Sequence, residues 1–262
     1  MAEIASSSSF LSIGLQAGLW GCVAGGALLI GAGLAYFFDV PKRLIAGIMA
    51  FGSGVLISAL AFNLMDEAYH RGGFDSTAAG FLGGALVYTA ANWFLARKGA
   101  KHRKRSTGQQ PSESEDEGSG MAIAVGALLD GIPESIVIGL SMLQGGVVSS
   151  VAVMAIFLSN IPEGLSSAAG MKKAGRTPLY IFGVWGGIAL LSGVAAFAGY
   201  SIFGQFSDDV IAATTAVAAG AILAMLADTM IPEAFDEAHN FAGLITVAGF
   251  LLAFILTKLE AT

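Results

Sequence analysis

The sequence predicts an all-α, polytopic membrane protein with eight transmembrane helices in a single domain. Three observations predict this class: 55% of the 262 residues are hydrophobic, only 12% are charged, and 36 are glycine. A soluble domain has about 25% charged residues, whereas glycine is frequent in membrane helices. Because so little polar surface is available, we expect the lipid bilayer, and not nucleic acid, to surround residues 1–262.

Eight stretches reach the length of about 20 apolar residues that a helix needs to cross the hydrocarbon core. In chain order they are residues 10–38, 43–68, 75–97, 119–143, 147–171, 177–205, 209–235 and 240–258. The first span is expected to be retained, because the segment before it has an acid and no Lys or Arg, unlike a signal peptide. Glycines four residues apart, at 14/18, 21/25 and 80/84, predict close helix packing or a dimer face.

The distribution of basic residues predicts that both termini lie outside the cell. Lys and Arg stay on the cytoplasmic side of a membrane. With an outer N-terminus, 11 of the 13 Lys and Arg residues fall in inner loops, and only Arg71 and Lys258 fall outside. We expect the plasma membrane, which in bacteria is the inner membrane.

The longest connection, residues 98–118, is expected to be a disordered cytoplasmic loop. A basic block, KGAKHRKR, is followed by a stretch rich in Ser, Glu and Asp without large apolar residues. Such a composition cannot bury a core of its own. We interpret the loop as a solvated segment that fixes topology; contact with anionic lipid or regulation of transport is the alternative.

Three Ile-Pro-Glu triplets mark the fourth, fifth and seventh spans, at residues 132–134, 161–163 and 231–233. A carboxylate in hydrocarbon costs at least ~2.5 to 3.5 kcal/mol. Each proline also leaves the carbonyl four residues before it without a helical partner. Carboxylates and freed carbonyls together predict a cation-binding surface on these helices. In the alternative, the prolines only bend the helices, and the triplet would then have to occur in three apolar spans by chance.

Helical spacing predicts which side chains form the central site. Asp130 and Glu134 are four residues apart, and Asn160 and Glu163 are three apart, so each pair shares one helix face. If the fourth and fifth spans pack antiparallel, the four side chains surround one point near mid-membrane. A divalent cation there would relieve the repulsion between the acids.

The second and seventh spans both end in acidic segments. The second ends in FNLMDEAYHRGG and the seventh in AFDEAHNFAG, so acids at both mouths would concentrate cations on either side of the site. The tripeptide Asp-Glu-Ala, shared by residues 66–68 and 236–238, indicates a possible inverted repeat that relates spans 1–3 to spans 6–8. The full set of candidate metal ligands is Asp130, Glu134, Asn160, Glu163, Ser159, Asn63, Met65, Glu67, Asp228, Glu233 and Glu237.

With its eight spans, outer N-terminus, long inner loop and paired Pro-Glu motifs, the chain resembles the ZIP family of divalent metal transporters. DGIPES at 130–135 is similar to that family's fourth-span His-Asn-x-Pro-Glu-Gly, and SNIPEG at 159–164 to its fifth-span counterpart. MIPEA at 230–234 is similar to the seventh span of some bacterial members. The resemblance covers essentially the whole chain.

The resemblance implies that Glu134 and Glu163 bridge the metal and that Asn160 supplies a polar ligand. Asp130 stands where the family has histidine, and Ser159 stands at a position often occupied by a ligand. The sixth span has no acid, so a second metal would have fewer ligands. Oxygen ligands favour Mn²⁺, Fe²⁺ or a broad range of divalent ions over zinc alone, unless a methionine such as Met65 contributes a sulfur.

We therefore expect a permease, not an enzyme, that moves zinc, or Mn²⁺, Fe²⁺ or Cd²⁺, toward the cytoplasm without an organic cofactor. Neither HExxH nor the phosphate-binding G-x-x-x-x-G-K-[ST] motif occurs in the sequence. A homodimer is a possible assembly. The alternative is a proton-coupled or organic-cation secondary transporter that uses the same buried acids.

Overall fold

The computed structural model of the protein describes residues 2–106, 108–143 and 146–260, with side chains described from Ser12 to Leu259. Across these residues every regular element is helical, which confirms the all-α prediction. The helices are α1 (Ala2–Phe37), α2 (Lys42–Ala59), α3 (Met65–Ala96), α4 (Ser119–Ser141), α5 (Ser150–Lys173), α6 (Pro178–Phe203), α7 (Asp208–Met225), α8 (Ile231–Ala238) and α9 (Ala242–Glu260). Two π-helical segments, π1 (Leu60–Leu64) and π2 (Leu226–Met230), join α2 to α3 and α7 to α8.

Six helical segments are long and apolar enough to cross a membrane, which indicates a multi-pass membrane protein. They are Ser12–Phe37, Lys42–Ala96, Ser119–Ser141, Ser150–Lys173, Pro178–Phe203 and Asp208–Leu259. Large apolar side chains lie on their outer faces: Leu86 is 71% exposed and Leu190 is 69% exposed. So much exposed apolar surface is typical of a protein that faces lipid.

Two of the six segments are interrupted at one residue each. Lys42–Ala96 has 55 residues and Asp208–Leu259 has 52, which would extend roughly 80 Å if straight, far more than a hydrocarbon core of about 30 Å. Gly73 breaks the first with φ 66° and ψ −169°, a conformation essentially confined to glycine. His239 breaks the second with φ 44° and ψ −119°.

Glycine allows the helices to approach closely, as the sequence predicts. A Cβ atom added to Gly84 of α3 would lie 2.0 Å from the carbonyl oxygen of Val217 in α7. One added to Gly21 of α1 would lie 2.6 Å from the carbonyl oxygen of Ser192 in α6. These backbones are therefore in contact at positions where no larger residue fits.

The two π segments occur at matching positions of a short internal repeat. Residues 60–68 read LAFNLMDEA and residues 226–234 read LADTMIPEA, and both π segments begin at the shared Leu-Ala. This alignment pairs Glu67 with Glu233. It differs from the register expected from the sequence, in which residues 66–68 correspond to 236–238.

The loop at residues 98–118 is folded against the helices, and the expectation of disorder is wrong for its described part. Arg103, Lys104, Ser106 and Gln110 are buried. Thr107 lies outside the described residues. Composition suggested disorder because the loop lacks apolar residues; the segment is ordered instead by charge pairing and hydrogen bonds with α4, α5 and α8.

Candidate functional site

The candidate site is a cluster of buried carboxylates on two neighbouring helices. Helix α4 carries Asp130 and Glu134, and helix α5 carries Glu163. All three side chains are buried. Both helices continue through their internal prolines, Pro133 and Pro162, so the acids keep a regular helical spacing.

Asp130 is bound by an arginine from the loop. The Nε and Nη2 atoms of Arg103 donate to the two carboxylate oxygens of Asp130 at 2.9 and 2.8 Å. The hydroxyl of Tyr88 donates to the same carboxylate at 2.6 Å and accepts from Arg103 Nη2 at 2.8 Å. Arg103 Nη1 donates to Asn92 Oδ1 at 2.8 Å. The guanidinium therefore lies in a pocket built from α3 and α4, with paired hydrogen bonds to its counter-ion.

The next loop residue bridges the two acidic helices. Lys104 Nζ lies 2.9 Å from Glu163 Oε2 and 3.4 Å from Asp130 Oδ2. Lys104 is only 3% exposed and Arg103 only 1% exposed. Two cations of the chain thus bind carboxylates that the sequence predicts to be metal ligands, and one of them, Lys104, lies between two of these carboxylates.

Glu134 has no such partner. Its Oε1 atom is buried and forms no hydrogen bond with any described residue. It lies close enough to Glu163, Lys104 and Asp130 to interact electrostatically with each of them. Three carboxyl groups therefore share two cations, and Glu134 is the one without a cation of its own. An unpaired buried charge is costly unless a cation or a proton neutralises it.

A second contact extends the loop to α8. Glu233 Oε1 accepts hydrogen bonds from the backbone N–H of Ser106 at 2.8 Å, from its hydroxyl at 2.7 Å, and from Ser166 at 3.0 Å. Arg105 lies 3.5 Å from Glu233 and also pairs with Asp236. We call residues 103–106 the basic strap, since they link the acids of α4, α5 and α8.

The rest of the loop is anchored away from the carboxylates. The Arg176 guanidinium, with the backbone N–H groups of Gly118 and Gly120, holds the pKa of Glu113 at about 2. Burial, followed by the charges of Lys101 and Arg105, lowers the pKa of His102. Gln110 donates to the carbonyl of Ser167 at 3.0 Å. The loop is thereby fixed at both its basic and its acidic end.

The other predicted ligands are distributed over the molecule. Asn160 donates to the carbonyl of Ala24 at 2.9 Å, and Ser159 to that of Ile156 at 2.9 Å, so both bind backbone. Asp228 is exposed and lies 3.4 Å from Asn92. The remaining contacts pair Asn63 with Thr257, Glu67 with Arg71 and Glu237 with Lys42, and Met65 packs against the core.

The structure therefore joins Asp130, Glu134 and Glu163 but turns the side-chain amide of Asn160 toward α1. Within the described ranges, no group of three or more His, Cys, Asp or Glu side chains is arranged so that it could hold a metal ion. In this arrangement Lys104 lies between Asp130 and Glu163.

Two of the cavities of the molecule lie near opposite ends of α2, and neither is lined by the three carboxylates. One, of about 390 Å³, lies at the junction of α2 and α3 and is lined by Asp66, Glu67, His70 and Arg71. The other, of about 450 Å³, is lined by Arg43, Glu237 and His239. Along α2 and π1 their lining residues are roughly 35 Å apart, about the thickness of a bilayer.

An apolar layer separates the first cavity from the carboxylates. Leu60, Leu64, Val137 and Ile222 are buried there around a void of only about 20 Å³. Val137 lies one helical turn beyond Glu134 on α4. The cluster is therefore closed on one side by hydrocarbon and on the other by the basic strap.

Sequence reasoning missed the cations and polar residues that bind the acids: Tyr88, Asn92, Arg103 and Lys104. A signal existed, because buried acids need cations and the basic residues of the chain are concentrated at 97–105. In comparisons with known proteins, no protein-family model and no curated protein matches the chain. The resemblance to the ZIP family therefore stays a prediction.

Proposed function

We propose that the protein is a permease that moves divalent metal cations across the plasma membrane toward the cytoplasm, in the manner of the ZIP family. The observation that carries the proposal is the group of three buried carboxylates on two apolar helices, with Glu134 Oε1 unpartnered. Acids inside a membrane are expensive and mark ion pathways. A membrane protein with a purely structural role would have no need of the surplus acid.

The cavities support a path through the molecule. In the proposed topology, residues 42–72 and 74–96 cross separately, as do 208–238 and 242–260, which gives eight crossings with both termini outside. The cavity at Asp66 and Glu67 then faces outward and the cavity at Glu237 faces inward. A cation would pass from the first to the second by way of Glu134 and Glu163.

The proposed ligands are oxygen atoms, so the site should accept several divalent ions. Asp130, Glu134 and Glu163 are hard ligands that suit Mn²⁺ and Fe²⁺ as well as zinc. Met65 packs against the core, so a sulfur ligand from this residue has no support. We propose zinc as a substrate with Mn²⁺, Fe²⁺ and Cd²⁺ as competitors, and neither catalysis nor an organic cofactor.

Uptake into liposomes tests the proposal. The parent protein should take up zinc, and Glu134→Gln combined with Glu163→Gln should abolish both uptake and binding. Glu117→Gln is the matched control, since Glu117 is exposed in the loop. Uptake that survives the double substitution, or that is equally lost in the control, would contradict the proposal.

A second candidate function has one specific observation in its favour. The pocket of Asp130, Tyr88 and Asn92 binds a guanidinium group with four hydrogen-bonded contacts to its nitrogens. A secondary transporter for protons or for organic cations could use this pocket in the same way. Currents driven by a proton gradient or an organic cation in liposomes without metal would favour this function over metal transport. Because the same acids are used, Glu134→Gln should reduce these currents as well.

A further inference from the structure

We infer that the basic strap is an internal occupant of the cation site that competes with the transported divalent ion and holds the permease closed. The inference rests on the proposed function, because it describes the regulation of the same carboxylates. Charge, geometry and the shape of the helices each support it.

The charges are equivalent. Arg103 and Lys104 bring two positive charges among the three carboxylates, and one divalent cation brings the same two. Arg105, the third cation of the strap, lies against Glu233 and Asp236. An exchange of Arg103 and Lys104 for one ion leaves the formal charge among the three carboxylates unchanged. This equality matters because each uncompensated charge at this depth is costly.

The two occupants exclude each other at Asp130. Both of its carboxylate oxygens accept hydrogen bonds from Arg103, and one also accepts from Tyr88. Lys104 Nζ lies 2.9 Å from Glu163 and 3.4 Å from Asp130, between the two helices. A metal ion that shares these two carboxylates needs the position of that ammonium group.

The helices have notches that fit the strap. A Cβ atom on Gly126 of α4 would lie 2.6 Å from Cδ of Arg103. A Cβ atom on Gly170 of α5 would lie 2.2 Å from the backbone oxygen of Arg105. Gln110 donates to the carbonyls of Arg103 and Ser167 at 2.8 and 3.0 Å. The strap is therefore held by its backbone as well as by its charges.

The strap also obstructs the exit from the cluster. It continues from Lys104 to Ser106, whose backbone and hydroxyl both donate to Glu233 of α8. In the proposed topology this is the cytoplasmic side. Release of an ion toward the cytoplasm then requires that the strap leave. If the strap is docked in about nine tenths of the molecules, only about one tenth can bind metal, and the apparent metal affinity is about tenfold weaker.

Limited proteolysis of the unmodified full-length protein in nanodiscs tests the inference. Trypsin should cleave slowly after Arg103, Lys104 and Arg105 without metal, and at least tenfold faster when Zn²⁺ is present. Lys98, exposed in the same loop, is the internal control and should be cleaved at the same rate in both conditions. Equal protection of the strap with and without Zn²⁺ would overturn the inference.

A steric variant tests it without changing any charge. Gly170→Ala should expel the strap and tighten Zn²⁺ binding about tenfold. Gly187→Ala on α6 is the control, because a Cβ there meets no heavy atom within 4 Å. A Zn²⁺ affinity that is unchanged or weaker in Gly170→Ala, although trypsin now cleaves the strap rapidly without metal, counts against a competing strap.

The results separate the inference from the proposed function. Uptake that depends on Glu134 and Glu163, together with cleavage that ignores Zn²⁺, would retain the permease and overturn only the competing strap. Absence of any Zn²⁺ binding or uptake by the parent and by Gly170→Ala would overturn both. Faster cleavage on addition of Zn²⁺ to the parent, absent in Glu163→Gln, would support both.

Discussion

At the scale of single residues, the site is defined by an imbalance of charge. Asp130 is fully engaged by Arg103 and Tyr88, whereas Glu134 has a buried oxygen without a partner. Two acids one helical turn apart therefore have different roles. Asp130 binds the strap, and in the proposed permease Glu134 is the acid that is free to bind a further cation.

Replacing Asp130 should destabilise the protein. Asp130→Asn removes the counter-ion of the Arg103 guanidinium. Because a strap that is about nine-tenths docked can then leave its pocket, the expected loss is about 1 kcal/mol. Thermal unfolding in detergent measures the effect, with the exposed Asp75→Asn as the control. A midpoint as high as that of the control would show that the pair contributes little.

Replacing Glu134 should separate function from stability. Glu134→Gln removes a charge that has no hydrogen-bond partner at Oε1, so unfolding is expected at the same or a higher temperature while zinc uptake is lost. The same thermal scan and the liposome assay measure the two effects. A large drop in the unfolding midpoint would mean that Glu134 is needed for folding.

At the scale of elements, most of the helices could be predicted, because long apolar stretches bounded by charged turns have few other solutions in lipid. The prediction failed for residues 98–118, whose composition gives no apolar signal. Their order depends on partners distant in the chain, such as Asp130 and Glu233, and local sequence cannot show these. The register of the internal repeat was also mispredicted. Residues 60–68 and 226–234 share only four of nine residues, and the matching π segments are what distinguish this alignment from a chance similarity.

Close packing of α3 on α7 should tolerate no side chain at its contact. Gly84→Ala places a Cβ 2.0 Å from the carbonyl oxygen of Val217 and is expected to cost about 1 to 3 kcal/mol. Gly83→Ala is the matched control in the same turn, because its Cβ would meet nothing within 4 Å. Comparable unfolding midpoints for both variants would refute the close contact.

The contacts of Glu113 with Arg176, Gly118 and Gly120, which hold the acidic end of the loop, should weaken at acidic pH. The pKa of Glu113 is about 2 in the folded protein, below its ordinary value of 4.5, so its contribution is present above pH 4.5 and is lost as pH falls toward 2. Hydrogen exchange of residues 108–118, corrected for intrinsic rates, should accelerate over this range. Glu113→Gln should remove this pH dependence. If hydrogen exchange in the parent varies with pH no more than in this variant, the contacts of Glu113 do not hold the loop.

At the scale of the whole molecule, the fold brings together an acidic interior and a basic segment of its own chain. Large apolar side chains lie on the outer faces, and the carboxylates of Asp130, Glu134, Glu163 and Glu233 are buried inside. The membrane class follows from composition. The closure of the cluster by the basic strap could not be predicted, because it depends on how α3, α4, α5 and α8 are placed around it.

The eight-crossing topology can be tested by labelling. In a Cys22→Ala background, His70→Cys should react with a membrane-impermeant maleimide added outside, whereas Asp39→Cys and Lys101→Cys should react only after lysis. If residues 42–96 crossed the membrane once, positions 39 and 101 would lie on opposite sides. Labelling of either one from outside, with the other protected, would exclude eight crossings.

Each π segment is a place where the chain could lose one residue without reorienting the helix that follows. A π segment holds one residue more than an α-helical path would need, and each residue of a helix turns the chain by about 100°. Deleting one residue from Leu226–Met230 would therefore let this turn close as α-helix, whereas deleting one from α7 would swing Glu233 by that angle, away from Ser106 and Ser166. A chain shortened within α7 would thus separate the Glu233 carboxylate from its two serine partners although its composition is almost unchanged.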